Sequence, residues 1–270
     1  MNAELTWLWA ALLAYVVAGS LAIVAAVLGR RLERAILGAM VLGLAMHSVS
    51  LALRWARLDH GPFVTLFEIL SSNVWSLTLV FAVAYWRVRA VRPAAAVAMP
   101  VLFLLMAWLM VASPVEGRLP PTYHTLWLYV HVAFGKVFLG AVLVAVGLSG
   151  VNLLRAAGRA PASFRAMAAP DRLEELAFRF MVLGFVFESL MLAAGAIWAQ
   201  DAWGRYWAWD PLETWAFLTW LALAFFLHLR ATARPGPAVA ACAVIAVFVL
   251  AFLTFFGVPF VSTAPHQGAV

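Results

Sequence analysis

The stretch Pro237-Ala-Val-Ala-Ala-Cys-Ala-Val-Ile-Ala-Val-Phe-Val-Leu-Ala-Phe-Leu-Thr-Phe-Phe-Gly-Val-Pro-Phe260 runs for 24 residues without one charged side chain. A helix rises roughly 1.5 Å per residue and the hydrocarbon layer is about 30 Å thick, so about 20 mostly apolar residues cross it. Working outward from this stretch, seven more segments meet the same test, at approximately 5–28, 34–54, 64–86, 93–112, 124–154, 174–198 and 212–231. Lipid offers no partner to an unpaired backbone amide, and the segments are too long for barrel strands, so all eight are predicted to be helices. The composition agrees. Hydrophobic residues make up 66% of the 270 and charged residues 11%, with a mean hydropathy of +0.97, against roughly 45–50% and 25% in soluble proteins. The expectation is an all-α polytopic membrane protein, a single bundle over residues 1–270 with no dividing linker, repeat or low-complexity tail.

The net charge of +6 and the pI of 10.2 do not point to nucleic acid. The arginines collect in short loops between apolar runs, as membrane orientation requires. Loops after the first, third, fifth and seventh segments hold twelve arginines (Arg30, Arg31, Arg34, Arg87, Arg89, Arg92, Arg155, Arg159, Arg165, Arg172, Arg230 and Arg234). The opposite loops hold four: Arg54, Arg57, Arg118 and Arg205. The positive-inside rule then predicts the first set in the cytoplasm and both termini on the external side. The leading flank Met1-Asn-Ala-Glu4 carries no positive charge, and Arg30 and Arg31 follow the first run, which reads as a retained helix rather than a cleaved signal. Cys242 is the only cysteine, which excludes a disulfide framework, a thiolate metal cluster and a Cys-x-x-Cys-His attachment site in this chain.

One region departs from the apolar background. Trp198, Trp203, Trp207, Trp209, Trp215 and Trp220 put six of the thirteen tryptophans into 23 positions, with Tyr206 among them. An interfacial belt spreads its tryptophans around all helix ends. Here they concentrate in one external loop between the sixth and seventh segments, Ala199-Gln-Asp-Ala-Trp-Gly-Arg-Tyr-Trp-Ala-Trp-Asp210. Several flat rings on one loop suit a large flat apolar ligand. The next four residues, Asp210-Pro-Leu-Glu213, read as N-cap, N1, N2 and N3 of a helix with a capping box, and capping is the preferred role of both carboxylates over ligand work.

The six histidines divide by predicted depth. His131 and His266 are expected level with the tryptophan loop, His228 near the cytoplasmic end of the seventh segment, His47 in the outer half of the second, and His60 and His124 in external loops. A lone histidine is most often simply hydrogen-bonded or solvated. Neutral imidazole is also a ready heme-iron ligand, and two histidines beside a platform of indoles favour that role here.

These residues are recognisable as a group. Trp203-Gly-Arg-Tyr-Trp-Ala-Trp-Asp-Pro-Leu-Glu-Thr-Trp215 resembles the tryptophan-rich WWD signature of heme-handling proteins, in the version of the CcsA (ResC) family of the System II cytochrome c synthase. The resemblance extends over roughly residues 40–268, through His60-Gly-Pro-Phe63, Phe67-Glu68, Gly195-Ala-Ile-Trp-Ala199, His228-Leu-Arg230, and Phe256-Gly-Val258 followed by His266. It implies that His131 and His266 ligate heme iron externally, beneath a platform of Trp203, Tyr206, Trp207, Trp209, Asp210 and Trp215. It implies that His228 belongs to a deeper heme site completed by a partner subunit, CcsB (ResB). It further implies non-covalent heme b, thiol-reducing thioredoxin-like partners, and a bacterial cytoplasmic (inner) membrane location. The reaction implied is thioether attachment of reduced heme to a Cys-x-x-Cys-His apocytochrome c. This sequence departs from the family pattern at Leu212, where lysine is usual, and at Glu188, where the family is uncharged. Heme export alone, a HemX-type regulatory role and a b-type electron carrier are the competing functions.

Two charges lie deep in the apolar segments. Lys136 and Glu188 each fall near mid-bilayer, where an unpaired charge costs roughly 2.5–3.5 kcal/mol even on the lenient insertion scale. The economical arrangement is a Lys136–Glu188 ion pair inside the bundle. The rival is a neutral Glu188 with Lys136 reaching a heme propionate.

Overall fold

The computed structural model describes residues 3–258, so His266 lies outside the described residues. Among those residues there is no strand, and eight helices are long and apolar enough to cross a membrane. They are α1 (Ala3–Leu28), α2 (Glu33–Leu58), α3 (Leu66–Arg87), α4 (Ala95–Val111), α5 (Leu126–Ala156), α7 (Pro170–Trp203), α8 (Pro211–Thr232) and α9 (Pro237–Phe256), with a single-turn α6 (Ala162–Arg165) between α5 and α7. A 3₁₀ turn, Arg89–Ala94, leads into α4. The protein is a multi-pass membrane protein.

The sixth segment is longer than hydropathy indicates. It was expected to end at Trp198, but α7 continues to Trp203 and stops where Gly204 takes the left-handed φ of 77° and donates to the Gln200 carbonyl. Gln200 and Asp201 lower the hydropathy without disfavouring a helix, and glycine just past the end is the residue that stops one. The loop carrying the tryptophans is correspondingly shorter, 204–210.

The bundle is organised around α5, which packs against α3, α4, α7 and α9, while α1 packs on α2 and α4. Close approach is written into the sequence at Gly140, where a Cβ would stand 2.5 Å from the Cβ of Val80 on α3. At the end of the bundle where α7 meets the tryptophan loop, a buried ion cluster holds α1, α2 and α3 together. Arg54 donates to Glu68 at 2.8 Å and to Glu4 at 3.1 Å, and Arg57 donates to Glu4 at 2.8 Å and to Glu116. His60 bridges from the α2–α3 loop to the Gly117 carbonyl in the α4–α5 loop. These contacts fix both loops beside the tryptophan loop.

The Lys136–Glu188 pair does not form. Lys136 donates instead to Ser72 Oγ on α3 at 2.9 Å, and both carboxylate oxygens of Glu188 are buried with no hydrogen-bond partner among the described residues. The expectation had the helices right, since α5 and α7 are neighbours, but not the faces. Gly184, Glu188 and Met191 lie on one stripe of α7, and that stripe meets α5 through Gly135, Phe138 and Val142. Lys136 is the next residue after Gly135, about 100° further round the helix, and points to α3.

Candidate functional site

Two loops at the tryptophan end are built by the same device. Asp210 caps α8: its carboxylate accepts from Glu213 N at 2.9 Å, and Glu213 reaches back to Asp210 N at 3.4 Å. Pro211 takes N1, where its missing N–H is no loss. The capping box read from the sequence is therefore present. Glu213 does more than cap, because the same Oε2 accepts from Ala208 N at 2.7 Å. The two amides it holds flank Trp209, which sits at φ 57°, a conformation that costs a non-glycine residue about 1–2 kcal/mol. At the start of α3, Thr65 and Glu68 form a second capping box, and Glu68 Oε2 accepts from both Val64 N and Thr65 N. Each box precedes a helix and steadies aromatic residues just upstream, Phe63 in one case, Tyr206 and Trp207 in the other.

Those aromatics line the mouth of a cavity with an empty volume of about 1320 Å³, open space at the mouth included. The walls come from α3 (Ile69, Ser72, Asn73), α5 (Leu128, His131, Val132, Gly135, Lys136), α7 (Met191 to Ala199), α8 (Leu212, Ala216) and α9 (Thr254, Phe255). Tyr123 of the α4–α5 loop also faces the cavity, and burial pushes its phenol above the usual tyrosine range, so it stays neutral. The lining is mainly apolar, with a few placed polar groups, as ligand sites are.

His131 is held in one orientation. Its Nδ1 donates to the Met191 carbonyl at 2.9 Å, and its ring stacks on Trp198 at 6.1 Å with an interplanar angle of 17°. This tautomer leaves the lone pair on Nε2. Gly195 makes the arrangement possible, since a Cβ there would lie 2.7 Å from His131 Nδ1. Tyr123 and Trp203 pack edge-on around Trp198, at 5.2 and 5.0 Å, and Trp198 Nε1 donates to the Tyr123 carbonyl.

The residues singled out from the sequence are therefore only partly brought together. His131, Tyr206 and Trp207 line the cavity. Trp203 supports it from behind through Trp198. Trp209 lies outward, 66% exposed, against Trp207 and Phe217. Asp210 is a cap, and Trp215 contributes its carbonyl to Thr219 and Thr254. His228 is far from this end, one turn from the end of α8, exposed beside the outward-facing Leu218, Leu221 and Phe225. Among the other histidines, His47 is buried between Tyr15 and Ser71, and His124 stacks edge-on against Tyr129. Ser72 and Asn73 also line the cavity, and their signal in the sequence is a polar run, Ser71-Ser-Asn73, inside an apolar segment.

A sequence model described as cytochrome C assembly protein matches residues 5–266. The chain belongs to the cytochrome c assembly protein family. Similar members include the cytochrome c biogenesis protein CcsA of Calycanthus floridus var. glaucus, 28% identical over 262 residues and covering 80% of both chains. CcsA of Synechococcus sp. (strain CC9902) is 31% identical over 252 residues, covering 82% of both. Among solved structures, the cytochrome c heme lyase CcmF superposes with a TM-score of 0.72 at 18% identity, over 98% of this chain and 48% of that one. The chain thus shares the fold of about half of that lyase. Membership of the cytochrome c assembly family assigns the protein to cytochrome c biogenesis.

Proposed function

We propose that this protein is the heme-holding subunit of a System II cytochrome c synthase, which binds reduced heme b in the cavity under residues 204–210 and presents it to apocytochrome c. The observation that carries the reading is His131, locked in orientation by the Met191 carbonyl and the Trp198 ring, in an apolar cavity walled by tryptophans. The residues fit the group. A flat apolar macrocycle matches the lining, and the buried Trp207 Nε1 has no acceptor among the described residues, a donor that a ligand can satisfy.

In this reading His131 and His266 hold the iron, the tryptophans exclude water, and Trp207 donates to the ligand. Bound heme supplies the vinyl carbons to which the substrate thiols add. The protein needs no thiol of its own because both thiols belong to the Cys-x-x-Cys-His substrate. The tryptophan end faces outward from a bacterial inner membrane, as the arginine distribution supports. His228, exposed on an apolar stripe of α8, serves a second heme site completed by a CcsB (ResB)-like subunit, and thioredoxin-like proteins keep the substrate thiols reduced.

The test is co-expression with a CcsB-like partner and an apocytochrome, scoring covalent heme in the product. His131→Ala is expected to abolish maturation, with partial recovery in added imidazole. Maturation at the parental rate in His131→Ala would remove His131 from the site.

A further inference from the structure

We propose that Lys136 takes one carboxylate of the ligand, a heme propionate, and so turns the vinyl edge of heme toward the mouth of the cavity. The inference rests on the heme reading above and adds the ligand's orientation to it.

Lys136 lines the cavity five residues further along α5 than His131, roughly 7.5 Å deeper at the helical rise. The polar side chains beside it in the cavity wall are Ser72 and Asn73 on α3, and the buried His47 on α2 lies within electrostatic reach. Ser72 and Asn73 do little for a cation. Ser72 Oγ accepts one N–H of Lys136 at 2.9 Å and is itself turned to the Ile69 carbonyl, to which Asn73 Nδ2 also donates. An ammonium carries three N–H groups, and a neutral hydroxyl supplies no counter-charge. Among the described residues no ion pair forms at Lys136. Glu213, the carboxylate that lines the cavity, is engaged by the Ala208 and Asp210 amides, and Glu188 lies in the α5–α7 interface outside the lining.

A cation enclosed by apolar walls is stabilised by a paired anion. In a site for a flat apolar molecule whose charges are two carboxylates on one edge, that edge is the one drawn to Lys136. Heme carries its vinyl groups on the edge opposite its propionates. Seating a propionate at the floor therefore sets the vinyl edge under Tyr206 and Trp207, where a substrate thiol arrives.

The assembled protein with its membrane partner is titrated with heme and with heme dimethyl ester, whose carboxylates are blocked, following the Soret band. The parental protein is expected to take heme about tenfold or more tighter than the ester, the worth of one charge-assisted contact. Lys136→Met is expected to erase that preference while retaining ester binding, and Lys136→Arg to keep it. If Lys136→Met fails to accumulate, Lys136→Gln is read in the same way. A Lys136 variant that binds heme with the parental preference over the ester overturns the carboxylate assignment and leaves the heme reading standing. Failure of the parental protein to bind either porphyrin overturns both.

Discussion

The two halves of α5 differ more than their hydropathy does. From Phe138 to Ser149 every residue is buried, walled by α3, α4, α7 and α9 and drawn tight where Gly140 meets Val80. From Leu126 to Val137 only Leu128 and Gly135 are buried, and the same helix borders a cavity of about 1320 Å³. Protein interiors leave few voids larger than a water molecule. The cavity is bordered by specific contacts: the His131–Met191 hydrogen bond, the Trp198 cluster and the two capping boxes. One half of the helix is a packed plug, and the other borders the candidate site.

Single substitutions at the plug and at the cavity break this comparison best. Gly140→Leu, in the plug, is expected to have the largest effect on stability, about 1–3 kcal/mol of overpacking or more, read as a lowered thermal midpoint in detergent. A Gly140→Leu protein that melts with the parent would show that the plug is loosely packed. Next comes Glu213→Ala at the rim of the site, expected to cost about 0.5–2 kcal/mol through the lost cap. It should also expose residues 204–210 to protease, whereas Glu213→Gln, which keeps an accepting oxygen, should protect them. Equal cleavage of the two variants would mean that the amide contacts of Glu213 do not hold the loop.

Gly195→Ala sharpens the contrast by separating stability from binding. Alanine favours the helix by about 1 kcal/mol, while the Cβ displaces His131 from the Met191 carbonyl at a cost of about 0.5–1.5 kcal/mol. Thermal stability should stay near the parental value while heme retention falls. Unchanged retention would show that the orientation of His131 is dispensable. The smallest effect belongs to the charges at mid-bundle. In a double-mutant cycle of Lys136→Met and Glu188→Gln, the coupling energy should lie within about 0.5 kcal/mol of zero, because the two side chains face different helices. A coupling of 2 kcal/mol or more, about the size of a hydrogen bond to a charged group, would mean that they pair in the membrane after all.

The sequence disclosed the eight spans because a bilayer imposes one length and one composition on each. It disclosed the Asp210–Glu213 cap because that signature is local, and the Thr65-x-x-Glu68 box carries the same local signature. Helix ends outside the apolar layer were less legible. Gly204, not the fall in hydropathy after Trp198, ends α7. What sequence could not carry was rotation. Lys136 and Glu188 lie at similar depths, and only the packing of α5 on α7 through Gly135 and Phe138 turns the lysine toward Ser72. The cavity is hidden for the same reason, since its walls come from five helices whose facing is a tertiary property. The tryptophan-rich loop lies at its mouth, and His131, level with that loop in the sequence, lines its wall.

Trp209 is where the protein trades durability for form. Its backbone is held at φ 57° by two amides gripped from either side, while its indole stands outward on Trp207 and Phe217. Glycine at this position would relax the backbone and lose the ring, so the gain from relief and the loss of aromatic contact oppose one another. A screen that selects only for heat resistance would be blind to that loss of shape at the rim, and an engineer stabilising this protein should leave residue 209 alone.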